Sequence, residues 1–172
     1  MTLSKPRDNA NSHHELDLHL TDEKFMLLAL KLAKQGEKIG EVPVGAIIVD
    51  KAGRIIAKAT NVREKQKTTL GHAELVAIHR ACKKLNSWRL SGCSLYVTLE
   101  PCFMCAGALV QSRISRVVFG AHDPKGGALK SLSQLGNDSR LNHQFDLTSG
   151  VLAKDCSLLL KEFFKKKRKL KS

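Results

Sequence analysis

Residues 94–121 read SLYVTLEPCFMCAGALVQSRISRVVFGA, and this stretch decides the fold. Its first six residues, SLYVTL, are rich in β-branched and aromatic side chains, which is typical of a strand. Pro101 favours a helix start, and Cys102 and Cys105 follow it at helical spacing. The apolar run RVVF at 116–119 predicts a second, buried strand. Strand, helix and strand in this order indicate a parallel crossover and therefore an α/β fold.

The flanking sequence predicts further elements of both kinds. The residues from Thr21 onward favour a helix start, and Gly36 favours its end. Gly45, inside an apolar run, indicates close approach of a ligand or of another backbone, or a bulge. The other predicted elements are an antiparallel hairpin of strands at 42–50 and 54–60, a helix at 72–85, a short helix at 128–135, a strand at 145–148 and a final helix at 152–168.

The chain has 172 residues, which is enough for one compact domain. We expect a mobile polar leader at 1–20, a single domain at 21–168 and a basic tail at 169–172. No apolar run approaches the roughly 20 residues that a membrane-spanning helix needs. The first twenty residues lack the apolar stretch of a secretory signal. We therefore expect a cytoplasmic protein that does not enter a membrane.

Charge and cysteine content narrow the class of partner. The chain carries 29 Lys and Arg residues against 16 Asp and Glu residues, a formal net charge of +13. Such an excess favours a polyanionic partner, either nucleic acid or an anionic membrane surface. The chain has five cysteines, and the close spacing of Cys102 and Cys105 suits a metal site better than a disulfide framework. We expect the thiols to be reduced.

Two short motifs, HAE at 72–74 and PCFMC at 101–105, predict a zinc site. Cys102 and Cys105 stand three apart in a helical turn, so their sulfurs can point the same way, and the helix dipole there favours thiolates. His72 begins another helix, whose dipole disfavours imidazolium and leaves a neutral ring for a metal. Three protein ligands leave the fourth position of a tetrahedral zinc ion for water, which is the arrangement of catalytic sites.

Glu74 is predicted to border that fourth position. It lies two residues from His72, and such neighbours do not face each other on a helix, so we expect a proton acceptor for water rather than a ligand. Cys82 lies ten residues further along the same predicted helix, about 15 Å from His72 at 1.5 Å per residue. Cys93 is separated from the motif by a whole strand. We therefore expect both cysteines to be free.

Several segments resemble the transfer-RNA adenosine deaminases of the cytidine deaminase superfamily. They are EVPVGAIIVD at 41–50, GHAELVAI at 71–78, LYVTLEPCFMCAGALVQSRISRVVFGA at 95–121, LNH at 141–143 and FF at 163–164. The resemblance implies a three-layer α/β/α sandwich around a mixed five-stranded sheet, with 21–168 as a single deaminase domain. It also implies a homodimer with one zinc ion per subunit and a transfer-RNA anticodon stem-loop as partner.

The implied reaction is zinc-dependent hydrolysis of adenosine to inosine at the wobble position, with the carboxylate of the HAE motif as proton carrier. By the same resemblance, Asn61 hydrogen-bonds the flipped base or its ribose, and Val44 and Leu99 line its pocket. Asp123 and Lys125 match positions beside the bound RNA. Structural interpretations stay open: a turn residue for Asn61, core aliphatics for Val44 and Leu99, and a solvated surface turn for the loop that carries the other two.

Two other functions compete with this interpretation. A deaminase of a free base or nucleoside, such as guanine or cytosine, uses the same zinc chemistry, but a small neutral substrate gains little from a +13 surface. A non-catalytic RNA-binding module would use zinc only to hold its fold, and it would not need Glu74. The basic residues from Lys161 onward suit either an extended RNA groove or a solvated helix end. His122 stands where the resemblance leads us to expect an arginine.

Overall fold

The computed structural model describes residues 10–170, with side chains from Asp22 onward. None of the helices in that range is long and apolar enough to cross a membrane. The helices are α1 (Ala10–Lys38), α2 (Arg63–Gln66), α3 (Ala73–Leu85), α4 (Phe103–Gln111) and α5 (Ala153–Lys169). The strands are β1 (Gly45–Val49), β2 (Ile55–Thr60), β3 (Ser94–Leu99), β4 (Arg116–Ala121) and β5 (Asp146–Ser149).

The five strands form one mixed sheet in the order β2-β1-β3-β4-β5. β1 pairs antiparallel with both β2 and β3, whereas β3, β4 and β5 run parallel to one another. The register of β3 and β4 places Tyr96 beside Val118 and Val97 beside Phe119. The predicted hairpin and the predicted parallel crossover through α4 are both confirmed.

Side chains alternate between the two faces along the central strands, as the pleat of a strand requires. Val97 and Phe119 pack in one core with residues of α3 and α4. Tyr96 and Val118, one position away, pack in a second core with residues of α1 and α5. Helices therefore cover both faces of the sheet, and the predicted three-layer α/β/α sandwich is confirmed.

Gly45 is the point where α1 lies closest to the sheet. A Cβ at this position would overlap the carbonyl oxygen of Ala29 and the backbone nitrogen of Ala33. The irregularity in the pairing of β1 and β2 lies further along, between Ile48 and Val49. Of the alternatives for Gly45, the structure selects close approach of another backbone.

The predicted helix start at Thr21 is wrong. α1 begins at Ala10, so the predicted leader is helical from that residue, and positions 1–9 lie outside the described range. No proline or glycine occurs between positions 10 and 35, so nothing in the chemistry of this segment interrupts a helix. α1 ends at Lys38, two residues beyond the predicted end at Gly36.

Asp22 accounts for the misplaced helix start. In the sequence it looks like a capping residue, whose carboxylate would accept hydrogen bonds from its own helix. In the structure the buried carboxylate instead accepts hydrogen bonds from the Tyr96 hydroxyl at 2.8 Å and from the Arg116 guanidinium at 2.6 and 2.8 Å. A tertiary contact has therefore taken the place of the cap.

Two further boundaries differ from the prediction. α4 begins at Phe103, and Cys102 is its N-cap residue with extended backbone angles, because only its carbonyl group joins the helix. No α-helix forms at 128–135, where the structure has turns and then a short 3-10 turn at Leu135–Asn137. The backbone N–H groups of residues 129–131 donate to the carboxylate of Glu100, so that carboxylate replaces helical carbonyl partners there.

Candidate active site

The His72, Cys102 and Cys105 side chains form a cluster that can hold a metal ion, since their donor atoms all lie within 4.8 Å of one another. His72 is the N-cap residue of α3 and Cys102 that of α4, and neither side chain makes a capping hydrogen bond. Cys105 lies in the first turn of α4 and is fully buried. Two helix N-termini therefore meet at the carboxyl end of β3.

The spacing of these donors fits zinc. The Nδ1 atom of His72 lies 3.7 Å from the Sγ of Cys102 and 3.5 Å from the Sγ of Cys105. Zn–S and Zn–N bonds at tetrahedral angles place sulfur and nitrogen ligands about 3.6 Å apart. One imidazole and two thiolates are also a donor set that zinc prefers. The cluster fits three corners of a tetrahedron and leaves the fourth without a protein ligand from the cluster.

The three groups influence one another's protonation. A hydrogen bond from Cys105, with further help from His72, lowers the pKa of Cys102 to about 4. The Cys102 thiolate in turn raises the pKa of both Cys105 and His72. Cys102 is therefore a thiolate at neutral pH.

Glu74 lies in the first turn of α3 beside this cluster and is almost completely buried, with 4% of its surface exposed. Burial raises the pKa of its carboxyl group, because the charged form loses hydration. The carboxyl group also forms a hydrogen bond with the Cys105 thiol. A buried carboxyl group of raised pKa at a metal cluster has the properties of a general acid and base.

A cavity of about 170 Å³ opens next to the cluster. It brings together most of the residues singled out in the sequence, namely Val44, Asn61, His72, Glu74, Leu99, Cys102 and Asp123. These residues come from both ends of the β1–β2 hairpin, the starts of α3 and α4, and the segments that follow β3 and β4. Lys125 does not line this cavity; it is exposed, and its backbone N–H donates to the Asp123 carboxylate at 3.0 Å.

Asn61 is held in place by the helix that carries the cluster. Its side-chain carbonyl oxygen accepts a hydrogen bond from the backbone N–H of Ala73 at 2.9 Å, and only 8% of the residue is exposed. The carbonyl oxygen is thus committed to the start of α3. The amide NH₂ group is the part of the side chain that a substrate can use.

The cysteines outside the cluster are free, as expected. The Sγ of Cys82 donates to the carbonyl oxygen of Trp88 at 3.7 Å, and Cys93 is buried in the core beneath α3 and α4. Burial raises the pKa of both thiols. They therefore stay protonated and do not compete with the cluster for a metal.

Two buried carboxylates at the cavity were missed in the sequence. Glu41 accepts hydrogen bonds from the backbone N–H groups of Glu64 at 3.1 Å and Lys65 at 2.8 Å, and so caps the short helix α2. Glu100 accepts several from the loop after β4. Both residues adjoin an apolar strand in the sequence, and this position indicates a buried charge. The neighbouring sequence does not identify the groups that donate hydrogen bonds to them.

The α/β/α sandwich, the cluster of one imidazole and two thiols, and the buried glutamate together define a deaminase. The profile of the MafB19-like deaminase family matches residues 20–168. That match covers the whole sheet, the cluster and most of the helices. The class of protein is therefore a nucleobase deaminase.

Individual proteins narrow this class. The tRNA-specific adenosine deaminase of Bacillus subtilis (strain 168) is 52% identical over 87% of this chain and 92% of its own length. A solved tRNA:A34 deaminase, from a study of A-to-I editing at the wobble position, is 41% identical, with a TM-score of 0.76 over 80% of this chain and 99% of its own. The solved guanine deaminase of Bacillus subtilis is 39% identical, with a TM-score of 0.55, over 58% of this chain and 64% of its own. This chain belongs to the tRNA-specific adenosine deaminase family.

Proposed function

We propose that this protein is a zinc-dependent hydrolase that converts adenosine to inosine at the wobble position of a transfer-RNA anticodon, in the cytoplasm. The observation that carries the proposal is the three-donor cluster with a buried glutamate at the wall of a cavity. Similarity to named tRNA-specific adenosine deaminases over 87% of the chain supports the substrate.

His72, Cys102 and Cys105 would hold the zinc ion. When bound, zinc supplies Lewis acidity and lowers the pKa of water from 15.7 to about 7. Glu74 is the residue proposed to move protons. It accepts a proton from the attacking water and delivers it to the ring nitrogen next to C6. It then takes the remaining proton of the hydroxyl group on C6 and passes it to the departing amine. The water oxygen becomes bonded to C6, the C6–N bond breaks, and ammonia leaves as inosine forms.

The cavity walls would receive the flipped base. The Asn61 amide NH₂ is proposed to donate to the base or its ribose, and Val44 and Leu99 to contact the faces of the ring. Asp123 lies at the same cavity, and Lys125 two residues later is exposed to solvent, so both are proposed to contact the neighbouring RNA. The net charge of +13 supports a polyanionic substrate over a small neutral one.

A homodimer is part of the same proposal. Phe103 and Met104 follow Cys102 in sequence and expose 50% and 37% of their surfaces. Exposed apolar side chains next to a catalytic centre support a subunit interface there. Light scattering on the purified protein tests this: a monomer at all concentrations at which the enzyme is active would contradict the dimer.

Incubation of the purified protein with synthetic anticodon stem-loops tests the function. The substrates carry adenosine or cytidine at the wobble position, and sequencing identifies the product. We expect inosine only from the adenosine substrate. Free guanine, cytosine and adenosine form the comparison set, because a guanine deaminase shares this fold. Turnover of a free base at a salt-independent rate, with no change in the stem-loop, would contradict the proposal and favour the free-base enzyme.

A further inference from the structure

Glu100 is a buried carboxylate that the proposed chemistry does not use. It follows β3 directly, and its side chain has no exposed surface. Its Oε1 atom accepts hydrogen bonds from the backbone N–H groups of Leu129, Lys130 and Ser131, at 3.2, 2.7 and 2.9 Å. Its Oε2 atom accepts from the backbone N–H of Asp123 at 3.1 Å and from the Ser131 hydroxyl. Both oxygens are therefore engaged by one loop.

That loop, residues 122–131, is built around the carboxylate. A Cβ at Gly127 would overlap the carboxyl group of Glu100, so only glycine fits there without displacement. Gly127 also pairs with Cys102 in an isolated bridge, and the N–H of Ala128 donates to the carbonyl oxygen of Pro101 at 2.9 Å. The loop is thus fastened to the junction between β3 and α4.

The contacts of Glu100 decide where one wall of the cavity lies. Asp123, whose N–H donates to Glu100, lines the cavity, and its carboxylate accepts from the N–H of Lys125. The Nδ1 atom of His122 lies 3.4 Å from the Glu100 carboxylate, and the His122 side chain is about half exposed. Ala128 and Leu129 at the end of the loop are packed in the core, whereas Asp123 and Lys125 precede them in a segment without regular secondary structure. Losing the hydrogen bonds to Glu100 would therefore change the position of Asp123 and Lys125.

We propose that Glu100 is a positioning residue, which sets the 122–131 loop in the conformation that binds RNA. The inference rests on the proposed function, since it takes Asp123 and Lys125 as contacts to the substrate. Glu100 lines the cavity, but both of its carboxylate oxygens are engaged by hydrogen bonds from the loop, so we assign it to positioning the loop and not to the chemical step. Its carboxylate is needed because an amide at the same place offers one oxygen instead of two, and its NH₂ group would face N–H donors.

The test is steady-state kinetics of Glu100→Gln with an adenosine-containing anticodon stem-loop, together with the zinc content of each sample. We expect KM to rise about 10-fold to 100-fold, while kcat stays within about threefold and zinc content is unchanged. A purely structural role would lower the thermal midpoint, the zinc content or kcat without this selective rise in KM. Asp146→Asn is the control, because it makes the same carboxylate-to-amide change at an exposed position on β5, outside the cavity and the groove along α5.

Ser131→Ala and Gly127→Ala perturb the same contact from the loop side and keep the test decisive if Glu100→Gln fails to fold. Each should raise KM in the same direction. Ser131→Ala combined with Glu100→Gln should add less than the sum of the two single effects, because both remove one interaction. An unchanged KM in these variants, or a fall in kcat that follows zinc loss, overturns the inference. Failure of the wild-type protein to deaminate any stem-loop would instead overturn the proposed function.

Discussion

Burial determines the chemistry of Glu74. The three residues of the metal cluster depend instead on the geometry of their donor atoms. Its carboxyl group has a raised pKa and lies at the cavity. We predict that Glu74→Gln retains fold and zinc but loses at least about 100-fold in kcat, because an amide cannot accept and return a proton. Stem-loop deamination under single-turnover conditions measures this. Asp146→Asn, at an exposed position of β5 that does not line the cavity, should keep its activity, and equal loss in both variants would contradict the role of Glu74.

Removal of Cys102 should affect the metal directly, since its Sγ is one of the three donor atoms of the cluster. We predict that Cys102→Ser is isolated with little or no zinc, has no measurable activity and unfolds at a lower temperature, because the metal also joins α3 to α4. Metal analysis and thermal unfolding give the two readouts. Cys82→Ser is the control: its Sγ bonds the Trp88 carbonyl, and full zinc content is expected. Full zinc occupancy in Cys102→Ser would exclude this ligand set.

At the scale of elements, Asp22 and Arg116 fasten α1 to the sheet. The guanidinium makes two hydrogen bonds to the Asp22 carboxylate, and the side chains expose only 4% for Asp22 and 17% for Arg116. The hydrogen bonds to Asp22 raise the pKa of Arg116, so the guanidinium stays charged. We predict that Arg116→Ala lowers the free energy of unfolding by about 3 kcal/mol, because Asp22 is left buried without its partner.

Urea unfolding measures this difference, and the chain supplies a matched control. Arg54 makes an equally short contact with Asp50, at 2.7 Å, but its side chain is 79% exposed. Arg54→Ala should therefore change the free energy of unfolding by less than about 1 kcal/mol. Equal effects of the two substitutions would show that burial of the Asp22–Arg116 pair does not determine its contribution to the free energy of unfolding.

Tyr96 joins the same contact between α1 and β3, and it is the only tyrosine in the chain. Burial and the Asp22 acceptor raise its pKa above the ordinary value of 10. Because the folded pKa exceeds the unfolded one, its contribution to stability is complete below pH 10 and is lost as pH rises beyond it. We predict that the wild type loses about 1.4 kcal/mol per pH unit relative to Tyr96→Phe above that pH.

Urea unfolding of both proteins from pH 8 upward checks the sign. At pH 8, Tyr96→Phe should be about 1 kcal/mol less stable, because the hydroxyl hydrogen bond is missing. The difference in the free energy of unfolding between the two proteins should narrow as the pH rises above 10. Ultraviolet absorbance should show that tyrosine ionises at a higher pH in the folded wild type than in the unfolded chain. A gap that widens with pH would contradict the assigned environment.

At the scale of the whole molecule, basic side chains are concentrated toward the end of α5. A groove beside the cavity contains Asp123, Lys161 and Phe164, and residues 161–172 carry seven basic side chains and one acidic one. Within the described part of the chain, Lys166 is paired with Glu37 at 3.0 Å. Lys161 and Arg168 line this groove, and we predict that it extends the proposed RNA site along α5.

We predict that stem-loop binding weakens with salt and that Lys161→Gln reduces the slope of log affinity against log salt by about 0.7, the value for one phosphate contact on single-stranded RNA. Fluorescence anisotropy with a labelled stem-loop measures the slope. Lys84→Gln, at the far end of α3, removes the same charge and should leave the slope unchanged. Equal slopes for all three proteins would show that RNA does not reach this groove.

The sequence predicted helices and strands correctly where their formation depends on residues close together in the chain. The strand at 94–99 has its predicted bounds, and the helix predicted at 72–85 begins one residue later. The helix of the PCFMC motif begins two residues after Pro101. Strand alternation and helical spacing are short-range properties, so they can be read from a few residues. The start of α1 failed because the partners of Asp22 lie 74 and 94 positions away.

The sequence by itself determined the donor set and the order of the elements, because His72, Cys102 and Cys105 are specified by their types and spacing. The hydrogen-bond partners of the buried carboxylates became known only from the three-dimensional fold. Glu100 finds its partners 23 to 31 positions away, and Glu41 finds its own 23 and 24 positions away. A buried carboxylate must be satisfied by some donor. Folding alone brings a particular backbone N–H within reach, and no local pattern encodes that choice.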